Sequence, residues 1–211
     1  MAFDLQEQEQ IDAAKAFWQQ WGKWISLAVI VVALGYLGYQ GWKYYRSHQA
    51  EQAALLYAPV ETAVTEGDAG KLVASAKALQ DAYPKSGYAA RASLLAARVA
   101  FDKGDTKTAE QELLWVAGNA AEPAVKAVAQ LRLAGLQLDA GQTDAALAEL
   151  ARPIDATFLP QQLELKGDAL LVKGDRQGAR AAYQEAIAKL APDAPQLALL
   201  NVKLDALGGE Q

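Results

Sequence analysis

The 211 residues carry 20 Lys plus Arg against 25 Asp plus Glu, one His and no Cys, for a formal net charge of −5. That balance argues against nucleic acid as a partner, because binding it demands concentrated positive charge to displace phosphate counterions. Without cysteine there is no disulfide, no thiolate nucleophile, no Cys-based zinc or iron–sulfur site and no lipid-modified cysteine.

The first element is a tail over residues 1–23. Ile11, Ala14, Phe17, Trp18 and Trp21 recur at helical spacing, with Asp12, Lys15 and Gln19 elsewhere on the wheel. Such an amphipathic segment either lies in a membrane interface or docks on a partner at the membrane face. From Trp24 to Trp42 the chain then has no charge. As a helix this stretch reaches roughly 28 Å, enough to cross bilayer hydrocarbon. Lys23 and Lys43 bracket it. Trp18, Trp21 and Trp24 mark one end, and Tyr36, Tyr39, Trp42, Tyr44 and Tyr45 mark the other, as an interfacial aromatic belt does. A secretory signal would start with a short basic region and end in a small-residue cleavage site, and SHQAEQAAL offers none. The segment therefore reads as an uncleaved single anchor. Lys15 and Lys23 on one side balance Lys43 and Arg46 on the other, so charge leaves the orientation open. Gly35, Gly38 and Gly41 form either a smooth stripe for a neighbouring helix or ordinary membrane-helix glycines. A juxtamembrane linker helix is expected over 43–52.

Residues 53–211 read as a stack of helical hairpins. AFDKGDTKTAEQELL around Gly104, QLDAGQTDAALAEL around Gly141 and LLVKGDRQGARAAYQEAI around Gly174 share one pattern. Each is a helical run, a Gly followed by Asp or Gln, then an Ala five residues beyond the Gly. The 37- and 33-residue spacings lie close to the 34 of tetratricopeptide repeats. In the last copy Leu163, Gly167, Leu170, Gly174, Ala179, Tyr183 and Ala186 occupy the packing positions, with Pro192 closing it. A weaker copy surrounds Gly67 and ends at Pro84, with Leu72 in place of the Ala. The turn glycines suit a left-handed helix end, and the Asp or Thr behind them suits a cap on the next helix. Pro84, Pro123, Pro153 and Pro160 are expected near the ends of second helices. APQLALLNVKLDAL, residues 194–207, forms a capping helix with Leu197, Leu200, Leu204 and Leu207 along one side. The expected fold is all-α: one N-terminal transmembrane helix, then an α-solenoid of tetratricopeptide-like hairpins with a C-terminal cap.

Using this register, the first helix of each pair lines a concave surface. Arg91, Leu94, Arg98 and Phe101 face inward from one repeat, Leu131 and Leu138 from the next, and Gln161, Glu164, Asp168 and Leu171 from the third. An apolar floor with Arg at one end and carboxylates at the other suits an extended or helical peptide. The competing reading makes Leu94, Phe101, Leu131 and Leu138 hairpin core and the charges a solvated rim. No catalytic constellation, cofactor motif or metal-ligand spacing appears. His48 sits in RSHQ beyond the apolar segment, and no phosphate loop, HExxH helix or GxSxG elbow is present. Glu110, Glu112, Asp144 and Glu149 read as surface carboxylates. The two Gly-Asp pairs of GDALLVKGD fall one within a helix and one at its turn, which argues against a cation site.

Four blocks carry a resemblance beyond the repeat class: EQEQIDAAKAFWQQWGKW, GWKYYRSHQ, LRLAGLQLDAGQTDAAL and GDALLVKGDRQGARAAYQEAI. On these the chain resembles the ancillary SecYEG translocon subunit family. The resemblance implies a bacterial inner-membrane protein with a cytoplasmic N-terminus and a periplasmic repeat domain. It further implies partnership with the SecYEG translocon, with a membrane-anchored periplasmic chaperone of the prolyl-isomerase type, and with unfolded secreted proteins as clients. It supplies no catalytic residue and no cofactor. A regulatory adaptor that sequesters a signalling protein is the alternative from the residues alone.

Overall fold

The computed structural model describes residues 2–208. Asp12 and Ala14, which the amphipathic reading of the tail uses, lie outside the described side chains. The helices are α1 (Ala2–Glu66), α2 (Ala69–Ala82), α3 (Gly87–Asp102), α4 (Thr106–Asn119), α5 (Pro123–Asp139), α6 (Thr143–Leu150), α7 (Leu159–Val172), α8 (Arg176–Lys189) and α9 (Gln196–Ala206). A 3₁₀ turn at Ala156–Phe158 precedes α7. The chain divides into two units, Met1–Gln49 and Ala50–Gln211.

In the first unit, Val29, Ile30, Val31, Val32, Leu34 and Leu37 are all more than half exposed. By length and composition, one helix among the described residues suffices to cross a membrane. Its far end is dressed by neighbours one turn apart. The Arg46 guanidinium lies 4.8 Å from the Trp42 ring centroid, and the Tyr44 and His48 rings stack at 6.4 Å. Residues 43–52 are helical throughout as part of α1.

In the second unit, four hairpins form around Gly67, Gly104, Gly141 and Gly174. Their φ values are 68°, 79°, 73° and 87°, where any other L-residue costs about 1 kcal/mol or more. Each glycine is followed by a backbone N–H that returns to the carbonyl five residues earlier, for example Asp105 to Ala100 at 2.9 Å and Asp175 to Leu170 at 2.9 Å. This bond satisfies a helix carbonyl that has no partner within its own helix. Asp68, Asp105 and Asp175 then cap α2, α4 and α8 through bonds from the Lys71, Thr108 and Gly178 amides. At the third turn neither Gln142 nor Thr143 does so. Gln142 holds the cap position with no side-chain bond, and Thr143 is already the first residue of α6.

Size complementarity explains why Leu72 is tolerated. Seven residues before and nine after each turn glycine stand Val60 and Ala76, Ala97 and Leu113, Ala134 and Leu150, Gly167 and Tyr183. Every one is buried. In the last pair a Cβ on Gly167 would meet the Tyr183 ring at 2.3 Å. In the first pair the order of sizes reverses: Ala76 yields the space that Leu72 and Val60 fill. The copy around Gly67 is thus a full repeat whose first helix is the end of α1.

Two sequence expectations change. Pro123 and Pro160 stand in the first turns of α5 and α7, where the missing N–H has no helical acceptor to lose, rather than ending second helices. Glu112 and Glu149 are not surface carboxylates, at 7% and 8% exposure. Glu112 accepts from Gln80 Nε2 at 2.6 Å, and Gln80 also donates to Ser93 at 2.8 Å, tying α2, α3 and α4 together. Burial raises the Glu112 carboxyl above its ordinary range, opposed by the Ser93 and Gln80 hydrogen bonds. Glu149 is held by Arg152 Nη1, at 3.0 Å and 2.9 Å to its two oxygens. Glu110 and Asp144 are less buried, and Asp144 pairs with Lys173 at 2.7 Å.

Candidate functional site

The first helices of the hairpins supply the candidate surface. Packing of α3 and α5 on either side of α4 leaves a cavity of about 450 Å³. Leu94, Phe101, Leu113 and Leu136 form its apolar lining, with Arg98, Asp102, Arg132 and Asp139 at its edges and Gly135 between them. Phe101 is 45% exposed. Arg98 is engaged, its Nε donating to both Asp102 oxygens at 2.9 Å and 2.8 Å.

Of the expected groove residues, Leu94, Arg98 and Phe101 therefore share one cavity. Leu131, Gln161, Glu164 and Asp168 share a second hollow of about 180 Å³ with Leu165. Arg91, Leu138 and Leu171 line neither of these two. Arg91 lies 5.8 Å from the Tyr57 ring centroid, and Leu171 is 40% exposed. Leu131 and Leu138 pack on the cluster of Ala134, Ala146, Leu150 and Ala169, as hairpin core. On α5 the cavity is instead lined by Arg132, Gly135, Leu136 and Asp139, a shift around the helix that the turn register does not reveal.

The carboxylate end of the expected groove is already occupied. Lys203 of α9 donates to Glu164 at 2.7 Å and to Asp168 at 2.9 Å and 2.8 Å, and Tyr183 donates to Asp168 at 2.7 Å. Burial works against the Lys203 charge, but the Asp168 and Glu164 hydrogen bonds outweigh it and hold the ammonium above its usual range. Burial together with the Asp168 carboxylate pushes the Tyr183 hydroxyl up as well. Arg176 donates to the Leu207 carbonyl at 2.9 Å and Arg180 to that of Gly208, which clamps the end of α9. Leu200 and Leu207 are buried beneath it, with Leu204 packed alongside. The charges read as a groove terminus are thus the anchor of the capping helix. Lys203 was the missed residue. Its signal was a lone cation among the leucines of APQLALLNVKLDAL.

At the other unit, Lys23, Trp24, Trp42 and Lys43 are all exposed, as are Phe17, Trp18 and Trp21. The Trp18 indole covers Gly22, where a Cβ would approach it at 3.1 Å. Gly35, Gly38 and Gly41 have nothing within 4 Å of an added Cβ. No group of His, Asp and Glu among the described residues is arranged to hold a metal ion.

A family model for the tetratricopeptide repeat-like domain matches residues 15–209. The chain is 38% identical, over 98% of its length and 100% of the relative, to a Neisseria gonorrhoeae protein named ancillary SecYEG translocon subunit. Proteins of the same name from Escherichia coli and Haemophilus influenzae are 36% and 31% identical. They match 64% and 88% of this chain and 65% and 91% of their own lengths.

Proposed function

The chain belongs to the ancillary SecYEG translocon subunit family, and from that membership we propose that it is a membrane-anchored scaffold or co-chaperone beside the Sec translocon. The observation that carries this reading is the 38% identity over 98% of the chain, because it takes in the apolar segment and the repeats together.

In this reading residues 24–42 cross the bacterial inner membrane once, with the 1–23 tail in the cytoplasm and the 53–211 repeats in the periplasm. The exposed apolar faces of α1 around Val29 to Leu37 support the crossing, since side chains of that kind are stable when lipid or another helix covers them. One flank of the segment touches the channel. The repeats hold a membrane-anchored chaperone of the prolyl-isomerase type and, through it or directly, unfolded secreted proteins. Repeat stacks present long concave faces suited to polypeptide partners, which supports that assignment.

A photo-crosslinking residue placed singly along Trp24 to Trp42 in the full chain, in its native membrane, tests the reading. Adducts with a channel subunit from positions on one helical face are expected. Adducts confined to a signalling protein, or none with the channel from any position, would transfer the reading to a regulatory adaptor.

A further inference from the structure

Among the described residues, two glycines stand in the middle of a repeat-domain helix, and they differ in cause. Gly167 is required by the Tyr183 ring, 2.3 Å from where its Cβ would be. Gly135 has nothing within 4 Å of that point, so no packing partner excludes a side chain there. Glycine at mid-helix is destabilising relative to alanine. Its position on the wall of the 450 Å³ cavity gives it a use: it keeps the cavity open beside Phe101, an aromatic ring left nearly half in solvent.

The charges around the cavity select what enters. Arg98 pairs with Asp102 in an exposed bridge one turn apart, whereas Arg132 is exposed with no ion-pair partner among the described residues. Asp139, exposed and likewise unpaired, lies seven residues further along α5, about 10 Å of helix. An apolar hollow is therefore flanked by one available positive and one available negative group. An extended peptide directs every second side chain to one face. Residues i, i+2 and i+4 therefore span about 13 Å on that face and reach the two charges and the hollow together.

We propose that the cavity between α3 and α5 is a docking site for an extended peptide segment. A bulky apolar side chain enters beside Gly135, an acidic residue two positions away meets Arg132, and a basic one meets Asp139. The proposal rests on the inner surface being a polypeptide-binding face and is independent of contact with the channel.

The probe is a fluorescein-labelled Ser-Glu-Ser-Phe-Ser-Lys-Ser peptide, followed by anisotropy against the full chain in detergent micelles, with empty micelles subtracted. Saturable binding is expected, weakened about tenfold or more when the peptide Phe becomes Ala. Gly135→Ala should weaken binding about fivefold or more without lowering the melting temperature, which separates a filled cavity from a damaged fold. Arg132→Glu should weaken binding of the original peptide and restore binding of one with Glu changed to Lys. Absence of saturable binding would overturn the proposal. So would unchanged affinity in both Gly135→Ala and Arg132→Glu, which would put any binding on another face. Loss of channel crosslinks with retained peptide binding would count against the translocon reading alone.

Discussion

Six residues before its turn glycine, α3 carries Arg98, α5 carries Gly135 and α7 carries Asp168. Around the first two a cavity stays open. Around the third, Lys203 and Tyr183 consume both carboxylate oxygens, and α9 is pinned by that bond set. A repeat position thus sets direction, while the neighbouring helix decides whether the side chain remains available. The middle of the surface stays open, and its end is used to close the stack.

The largest effect should come from Gly167→Ala, which forces a methyl into the Tyr183 ring. Overpacking of this kind costs about 1–3 kcal/mol, to be read as a lower denaturation midpoint in urea. An unchanged midpoint would mean that the α7–α8 contact relaxes freely.

Lys203→Met should follow at about 1–2 kcal/mol, because Glu164 and Asp168 lose their counter-charge in a partly buried site. Lys203 and Glu164 are 25% and 19% exposed, against 54% and 85% for Lys173 and Asp144. Lys173→Met should therefore leave the denaturation midpoint essentially unchanged. Equal costs for the two substitutions would erase the distinction between a lock and an ordinary surface pair. The folded pKa of Lys203 is raised, so its contribution is complete at neutral pH. It is lost only as pH rises above the ordinary lysine range of 10.5, through that folded value.

Glu112 offers the contrasting case of a buried carboxylate held by neutral donors. Its folded pKa is raised, so its favourable contribution is complete below the ordinary 4.5 and is lost as pH climbs through the folded value. Glu112→Gln should accordingly melt a few degrees higher than the parent at pH 7, with the gap shrinking toward pH 4. A gap that widens on acidification would contradict the assignment.

Gly135→Ala should produce the smallest change, a gain of about 0.5–1 kcal/mol, opposite in sign to the same substitution at Gly167. A loss would place an unseen packing partner in the cavity.

The turn chemistry was legible in the sequence because it is local. A left-handed glycine and the Asp behind it act within a few residues, so Gly104 and Gly174 announced their hairpins. Leu72 obscured the first copy because its compensation, Ala76 for a large residue, is visible only when two helices are compared as a pair. The burial of Glu112 was hidden for a related reason, since its partners Gln80 and Ser93 lie 32 and 19 residues away. The groove register was only partly legible on α5, where Leu131 shares a hollow with Gln161, Glu164 and Asp168 while Leu138 packs in the hairpin core. Leu131, Leu133, Leu136 and Leu138 are apolar on several faces, and α5 packs against α4, α6 and α7. A helix with more than one buried side gives no single stripe to read.

The absence of cysteine allows the anchor and its orientation to be tested together. Gln20→Cys in the tail and Gln177→Cys at an exposed position in the first turn of α8 each provide a single thiol for a membrane-impermeant maleimide. In cells with only the outer membrane permeabilised, position 177 should label at once and position 20 only after lysis. The reverse order, or immediate labelling of both, would contradict a single crossing that carries the repeats into the periplasm.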